Sequence, residues 1–260
     1  MVSKLSPAFL EKFDYIPENL ENKNAVVTGG TTGIGRTTAL LLAAQGVNVI
    51  IFGRHEKELN DALNDFKEAE LHDKVYGLIA DASKKEDVQR VFRTVDERFN
   101  GQLDILINNA AVAFDGLLEG GFDDWQYVLE TNVLGYLACA REAIDRMKNR
   151  GGQIVNVGSI SAETRSKDST VYAATKAAIQ AFSASLRKEV NKLKIKVTLI
   201  EPGLVGTDMQ TDTPQQQREK EEKLEMLKAE DIAMSILFSL IQPKRCDVIV
   251  MQVRPHLQEF

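Results

Sequence analysis

A tyrosine and a lysine separated by three small residues form the part of the sequence best suited to proton transfer. Tyr172 and Lys176 occur in STVYAATKAAIQ, a run otherwise typical of a helix. Residues four apart lie on one helical face, one turn from each other. A cation about 4 Å from a phenol lowers its pKa of about 10 by about three units at an effective dielectric constant of about 20. The pair predicts a tyrosine that exchanges protons near neutral pH, although alone it is equally typical of a core aromatic residue beside a solvated lysine.

Composition places the chain among ordinary globular proteins. Its 260 residues, 43% of them hydrophobic and 27% charged, are enough to bury the core of one large α/β domain. The formal net charge is −6. We therefore expect neither nucleic acid nor an anionic membrane as a partner, because both bind basic surfaces.

The sequence gives no sign of a membrane segment or a metal site. Charges and prolines interrupt the first residues, and no apolar run reaches about 18 residues, so a cytoplasmic location without a transmembrane helix is expected. His55, His72 and His256 are scattered, which argues against a metal centre. Cys139 and Cys246 lie in apolar surroundings and are expected to be buried, reduced thiols.

From residue 24 onward, seven β-branched runs alternate with helical stretches. Apolar strands that are each followed by a helix indicate a parallel sheet covered on both faces. The alternation predicts an α/β fold with a doubly wound, seven-stranded parallel sheet, the Rossmann fold, in one domain over residues 23–260. An N-terminal arm (1–22) precedes it. The polar segment 207–228, between the sixth and seventh strands, is either a solvated helix face or a lid over the substrate site.

The glycine-rich run VVTGGTTGIGR follows the first strand and opens the first helix. Glycines in such a turn let the backbone approach a pyrophosphate, whose charge then lies at the helix N-terminus. A plain tight turn is the alternative interpretation. The residues predicted here to bind a dinucleotide are Gly29, Thr31, Thr32, Gly33, Ile34 and Gly35.

The end of the second strand, IIFGRHEKEL, predicts which dinucleotide is bound. A carboxylate at this place binds free ribose hydroxyls and repels a 2′-phosphate, whereas a guanidinium binds the phosphate. Arg54 therefore indicates NADP(H), with His55 as a second contact. Glu56, two residues after Arg54, is the acid that would favour NAD(H) instead.

Six motifs together resemble the short-chain dehydrogenase/reductase family in its single-domain form. They are TGGTTGIG (28–35), NNAA (108–111), ETNVLG around Asn132, VNVGSIS around Ser159, YAATK (172–176) and PGLVGT (202–207). The resemblance implies an NADP(H)-dependent oxidoreductase that interconverts a ketone or aldehyde with the corresponding alcohol by hydride transfer. It also implies a homo-oligomer, a tetramer or a dimer.

The resemblance assigns four catalytic residues. Tyr172 would exchange the proton with the substrate oxygen. Lys176 would bind the nicotinamide ribose and, together with the positive nicotinamide of the cofactor, would lower the pKa of the tyrosine. Ser159 would hydrogen-bond the substrate oxygen, unless it is simply a loop or helix-capping serine. Asn132 would hold a water in a proton relay, unless its amide bonds to the backbone.

The remaining cofactor contacts also follow from the resemblance. Asp81 would meet the adenine amino group, although it could instead cap the next helix, and Ala82 would meet the adenine ring. The other implied contacts are Asn109, Ala110, Pro202, Gly203, Val205 and Thr207.

Three other functions keep the same fold. One is a dinucleotide-binding regulator without catalytic activity, although the chain retains the serine, tyrosine and lysine. Another is an NAD(H)-dependent dehydrogenase. The third is an NAD-dependent enzyme that isomerises a nucleotide sugar, which usually has a longer substrate domain after the position of residue 207.

Overall fold

A computed structural model describes residues 6, 8, 12 and 15–258 of the chain. Most of the predicted N-terminal arm before Tyr15 lies outside the described residues. The strands are β1 (Asn24–Thr28), β2 (Asn48–Gly53), β3 (Val75–Ile79), β4 (Ile105–Asn108), β5 (Gly152–Val157), β6 (Ile195–Pro202) and β7 (Val250–Val253).

The larger helices lie between the strands, as the alternating sequence predicts. They are α1 (Gly33–Ala44), α2 (Glu56–Glu68), α3 (Lys85–Phe99), α4 (Phe122–Leu129), α5 (Gly135–Met147), α6 (Ser161–Thr164), α7 (Thr170–Val190), α8 (Pro214–Glu222) and α9 (Ala229–Leu240). A π-helical turn, Glu130–Leu134, joins α4 to α5.

All seven strands are parallel and form one sheet in the order β3-β2-β1-β4-β5-β6-β7. The predicted fold, a doubly wound Rossmann-type sheet, is therefore confirmed. The chain reverses its direction of travel across the sheet between β1 and β4. Ligands of doubly wound sheets bind outside the strand carboxyl ends at such a point. This topology places the ends of β1 and β4 at the centre of the site.

Helices cover both faces of the sheet because successive strand residues point in opposite directions. In β1, Ala25 and Val27 pack into the layer formed with α1, α2 and α9. Val26, between them, packs into the layer formed with α3, α5 and α7. All five residues of β1 are buried, which explains why the strand reads as a continuous apolar run.

The polar segment 207–228 lies between β6 and β7, as expected, and contains α8. Thr213 caps α8 by accepting a hydrogen bond from the backbone of Gln216, and Pro214 occupies the first helical position. After the helix, Leu227 forms a bridge with Val205. Both ends of the segment are therefore attached close to the carboxyl end of β6.

Two expectations about individual groups can be compared with the structure. Cys139 and Cys246 are both unpaired, and Cys139 is buried, as expected. The prediction that Cys246 is buried was wrong. Cys246 is exposed because it closes a turn before the edge strand β7.

Within the described part of the chain, no helix is long and apolar enough to cross a membrane.

Candidate active site

One cleft at the carboxyl ends of the strands brings together nearly all the residues predicted from sequence. Gly35 and Asn132 are the two predicted site residues that do not line it. Other lining residues, to which the sequence assigned no role, lie within or beside the recognised motifs. They include Phe52, Glu58, Ala80, Val112, Thr131, Val157 and Gly158.

The glycine-rich turn forms a cradle that side chains would fill. Gly29 and Gly33 have positive φ angles of 60° and 48°, a conformation that favours glycine. A Cβ atom on Gly35 would lie 2.2 Å from the carbonyl oxygen of Gly29. Gly35 does not line the cleft, but its lack of a side chain lets α1 pack closely against Gly29. The N-terminus of α1, with its free N–H groups, lies at the cleft.

The NNAA motif is attached to this turn through Thr28. Its hydroxyl oxygen accepts hydrogen bonds from the backbone N–H groups of Asn109 and Ala110, both at 2.8 Å. The Asn109 amide in turn donates to the carbonyl oxygens of Thr28 and Gly29. These bonds fix the ends of β1 and β4 relative to each other, so Asn109 positions the floor of the cleft.

Arg54 and Glu58 bring opposite charges to the end of the cleft beside β2. The Arg54 guanidinium donates a hydrogen bond to the hydroxyl of Tyr127 on α4, and lies 5.4 Å from the centre of that ring. One Glu58 oxygen is buried without a hydrogen-bond partner. Glu56, the acid expected to oppose Arg54, is exposed and does not line the cleft. Residues two apart point to opposite sides of a helix, so Glu58 reaches the cleft where Glu56 does not.

Asp81, which follows β3, and Thr131, in the π-helical turn, both line the cleft. One oxygen of the Asp81 carboxylate accepts a hydrogen bond from the backbone N–H of Ser83 at 2.9 Å. Asp81 therefore closes a local turn; α3 begins at Lys85, so Asp81 does not cap that helix. Thr131 is 4% exposed, and its hydroxyl has no hydrogen-bond partner. A buried polar atom without a partner at the wall of a cleft fits a polar ligand.

Ser159 and Tyr172 meet at the other end of the cleft. Ser159 follows β5, and its hydroxyl donates a hydrogen bond to the Ser161 hydroxyl at 3.0 Å. Burial raises the pKa of Tyr172 to about 12, and a hydrogen bond with Ser159 acts in the opposite direction. Lys176 is not among the causes of this shift, and the lowering of the pKa of Tyr172 by Lys176 together with a bound nicotinamide stays a prediction. The Tyr172 phenol is protonated at neutral pH.

Lys176 is 2% exposed and lies beneath the cleft. Its ammonium group donates a hydrogen bond to the carbonyl oxygen of Val157 at 3.0 Å. Burial lowers its pKa from 10.5 to about 7. The alternative of a solvated helix charge is therefore wrong, because Lys176 is among the largest buried side chains of the chain. A group with such a pKa changes its charge near neutral pH.

Asn132 lies in the π-helical turn, and its side chain is fully buried. Its amide oxygen accepts a hydrogen bond from the Val112 N–H at 2.8 Å, and its nitrogen donates to the Val112 carbonyl oxygen and to Thr175. These bonds correspond to the backbone-bonded alternative. In the structure the Asn132 side chain fixes the loop after β4 against α7, and its part in a proton relay stays a prediction.

Comparison with known proteins matches this site to a family. The sequence model described as short chain dehydrogenase matches residues 23–218. The chain belongs to the short-chain dehydrogenase family. It is 36% identical over 241 residues to an uncharacterized oxidoreductase of Staphylococcus saprophyticus, covering 91% of this chain and 98% of the relative. It is 35% identical over 238 residues to an uncharacterized oxidoreductase of Staphylococcus aureus, with the same coverage.

As a short-chain dehydrogenase, the chain is an oxidoreductase that uses a nicotinamide dinucleotide. The cleft fits such a group: a glycine cradle and a helix N-terminus suit the pyrophosphate, and the unpartnered Thr131 hydroxyl suits a polar ring edge. When bound, the cofactor would supply or accept the hydride. Residues placed to hold it include Gly29, Gly33, Asp81, Ala82, Ala110, Val205 and Thr207.

Proposed function

We propose that this short-chain dehydrogenase reduces an uncharged ketone or aldehyde to the alcohol, and catalyses the reverse reaction, with NADP(H) as cofactor. The observation that carries the proposal is a protonated phenol and a serine hydroxyl together at one end of the dinucleotide cleft. Carbonyl reduction requires a proton donor at the substrate oxygen. Tyr172 would donate that proton, and Ser159 would orient the oxygen by a second hydrogen bond.

Lys176 supports this chemistry from below. Its ammonium group lies 5.6 Å from the centre of the Tyr172 ring. When charged, it stabilises the tyrosinate that forms as the proton leaves, because opposite charges attract strongly where water is excluded. It would also bind hydroxyl groups of the nicotinamide ribose. Asn132 would keep the loop after β4 in place beside this pair.

The walls near Tyr172 favour a substrate without charge. Within the described part of the chain, the lysine and arginine side chains that line the cleft are Arg54 and Lys176. Arg54 belongs to the adenosine end and Lys176 is buried beneath the reacting groups. Ala111, Val112 and Met209, which also line the cleft, offer apolar contacts rather than a cation that would bind a carboxylate or phosphate of a substrate.

A substrate panel tests the proposed reaction. Purified protein is mixed with NADPH or NADH and with matched pairs of neutral carbonyl compounds and their carboxylate-bearing analogues, and absorbance is followed. We expect turnover with NADPH, and a higher kcat/KM for the neutral member of each pair. Cofactor binding without turnover of any carbonyl or alcohol would favour the catalytically silent regulator. Turnover with NADH alone would favour the NAD(H)-dependent alternative.

Replacing Arg54 by aspartate is expected to change the cofactor preference. The variant loses a cation that would bind the 2′-phosphate and gains a repelling charge beside Glu58. Charge-assisted hydrogen bonds contribute about 1.5–3 kcal/mol, so the ratio of kcat/KM for NADPH to that for NADH should fall at least about 10-fold. Steady-state kinetics with both cofactors measure this ratio.

Two companion variants make the Arg54 result specific. Arg93→Asp makes the same charge change on exposed residues of α3, outside the cleft, and should leave the ratio unchanged. Glu58→Gln removes the opposing carboxylate and should raise the preference for NADPH. If Arg54→Asp leaves the ratio unchanged, Arg54 does not select the cofactor.

The segment 207–228 and the oligomer also belong to the proposal. Met209 and Gln210 line the cleft, and the Gln217 side chain on α8 donates to the Thr207 carbonyl oxygen at 3.1 Å. This proximity supports a lid over the substrate. Exposed apolar side chains on α9 and at the start of β7 support a homo-oligomer; they include Met234, Phe238, Ile249 and Val250. A tetramer or dimer stays a prediction, and so does the cytoplasmic location.

A further inference from the structure

The buried ammonium group of Lys176 is enclosed by two aromatic rings and one carbonyl oxygen. It lies 5.6 Å from the centre of the Tyr172 ring and 5.6 Å from the centre of the Tyr136 ring. It donates a hydrogen bond to the carbonyl oxygen of Val157. Tyr172 belongs to the same helix, α7, whereas Tyr136 comes from α5 on the neighbouring part of the fold.

Tyr136 is 1% exposed and packs with Ile179, Leu199 and Phe182. Its hydroxyl donates a hydrogen bond at 3.0 Å to the carbonyl oxygen of Val157. Lys176 donates to this same oxygen at 3.0 Å. A carbonyl oxygen has two lone pairs. The tyrosine and the lysine therefore share one acceptor at the end of β5, directly before Gly158 and Ser159.

We propose that Tyr136 is a positioning residue that holds Lys176 beneath Tyr172 by its ring and by sharing the Val157 carbonyl oxygen. A ring face within about 6 Å attracts a cation, most strongly where water is excluded. The shared acceptor has a second effect. Because Tyr136 keeps the Val157 oxygen hydrogen-bonded, the ammonium group can donate to another acceptor without leaving a buried carbonyl unsatisfied.

The ring and the hydroxyl of Tyr136 act on Lys176 in opposite directions. Loss of the ring removes a stabilising contact from the charged amine, which lowers the pKa of Lys176. Loss of the hydroxyl alone leaves the ring in place and frees the Val157 oxygen to bind the ammonium group more strongly, which raises that pKa. A merely structural core residue would not produce shifts of opposite sign.

The other titratable groups around this pair are few in the described structure. Burial, and to a smaller extent the neighbouring Tyr172 and Cys139, raise the pKa of Tyr136 well above its usual value. Burial also raises the pKa of Cys139 to about 12. Tyr136, Cys139 and Tyr172 are therefore neutral between pH 6 and 9, so a charge change at this place in that pH range is that of Lys176.

The test is a direct titration of Lys176 in protein labelled with 13C-lysine. The Cε signal is followed by NMR between pH 6 and 9.5, and Lys176→Met identifies it by its loss. Tyr136→Phe should raise the midpoint by about half a unit, and Tyr136→Met should lower it by about half a unit to one unit. Methionine is chosen because it refills the space of the ring without a π face.

Circular dichroism and thermal melting establish that both variants fold. Tyr76→Phe, a tyrosine whose ring contacts Arg98 and does not line the cleft, should leave the midpoint unchanged. Equal midpoints in all proteins, or shifts of both Tyr136 variants in one direction, would overturn the proposal. If Tyr136→Met does not fold, Tyr136→Phe alone decides, and an unchanged or lowered midpoint overturns it.

This inference rests on the proposed role of Lys176, but its titration needs neither cofactor nor substrate. A failed substrate panel with the predicted shifts would contradict the proposed reaction and leave the positioning of Lys176 standing. Turnover without those shifts would support the proposed reaction and contradict the positioning of Lys176 by Tyr136. In the working enzyme, the two Tyr136 variants should move the pH dependence of kcat in the same directions as the Lys176 midpoint.

Discussion

Tyr172→Phe is expected to lower kcat for carbonyl reduction by about 10³-fold while the dissociation constant for NADPH stays within a few-fold of its original value. The phenol hydroxyl is the group placed to protonate the substrate oxygen, and a positioned general acid contributes about 10²–10⁴-fold. The ring remains in phenylalanine, so its packing over Lys176 is kept. Steady-state kinetics give kcat, and quenching of protein fluorescence by NADPH gives the affinity.

Tyr15→Phe is the matched control for this prediction. It removes a hydroxyl that donates to Gln242 at 3.1 Å, outside the cleft, and should leave kcat unchanged. A Tyr172→Phe protein that keeps most of its activity would remove the phenol from the mechanism. A variant that loses NADPH binding together with activity would show that Tyr172 serves the cofactor rather than the proton.

The protonation of Tyr172 shows where sequence reasoning was limited. Spacing alone correctly placed Tyr172 and Lys176 on one face of α7. It did not give their burial, and burial penalises both charged forms. The pKa of Tyr172 is therefore raised to about 12, while that of Lys176 is lowered to about 7. The tyrosine is therefore protonated at neutral pH, as the proposed proton donation to a carbonyl oxygen requires.

The fold was predictable because each strand coincides with a run rich in β-branched residues and helical stretches alternate with these runs. The cleft was largely predictable for a related reason: its glycines, Ser159 and the pair on α7 are close to strand ends, which a parallel sheet brings together. The same logic placed segment 207–228 beside the cleft.

Residues contributed by helix faces were not predictable in this way. Glu58 and Thr131 reach the cleft from α2 and from a π-helical turn, whose register the sequence did not reveal. Tyr136 approaches Lys176 only because α5 and α7 cover the same face of the sheet. Its position in the sequence, 40 residues before the lysine, carries no sign of that contact.

Lys176→Met is expected to stabilise the cofactor-free protein while abolishing most of its activity. A folded-state pKa of about 7, against 10.5 for the unfolded chain, means that the fold is penalised for keeping Lys176 charged. Each unit of difference corresponds to about 1.4 kcal/mol, so the penalty amounts to a few kcal/mol. Methionine fills the buried space without this cost. Activity should fall at least about 100-fold, because the charge beside Tyr172 is lost.

The sign of the pH dependence makes this prediction specific. Below pH 7 the lysine is charged in both the folded and the unfolded state, and the original protein bears the full penalty. Between pH 7 and 10.5 the folded state binds fewer protons than the unfolded state, so its stability rises with pH. The advantage of Lys176→Met in the free energy of unfolding should therefore be largest at pH 6 and shrink steadily toward pH 9.5.

Urea denaturation at several pH values measures this advantage. Lys192→Met, at an exposed position just after α7, is the matched control and should show no such dependence. An advantage that is constant with pH would mean that methionine stabilises by packing alone. A loss of stability at pH 6 would mean that the Val157 hydrogen bond outweighs the burial of the charge. The expected result, a more stable but inactive protein, would identify Lys176 as a residue whose position the fold maintains at a cost in stability.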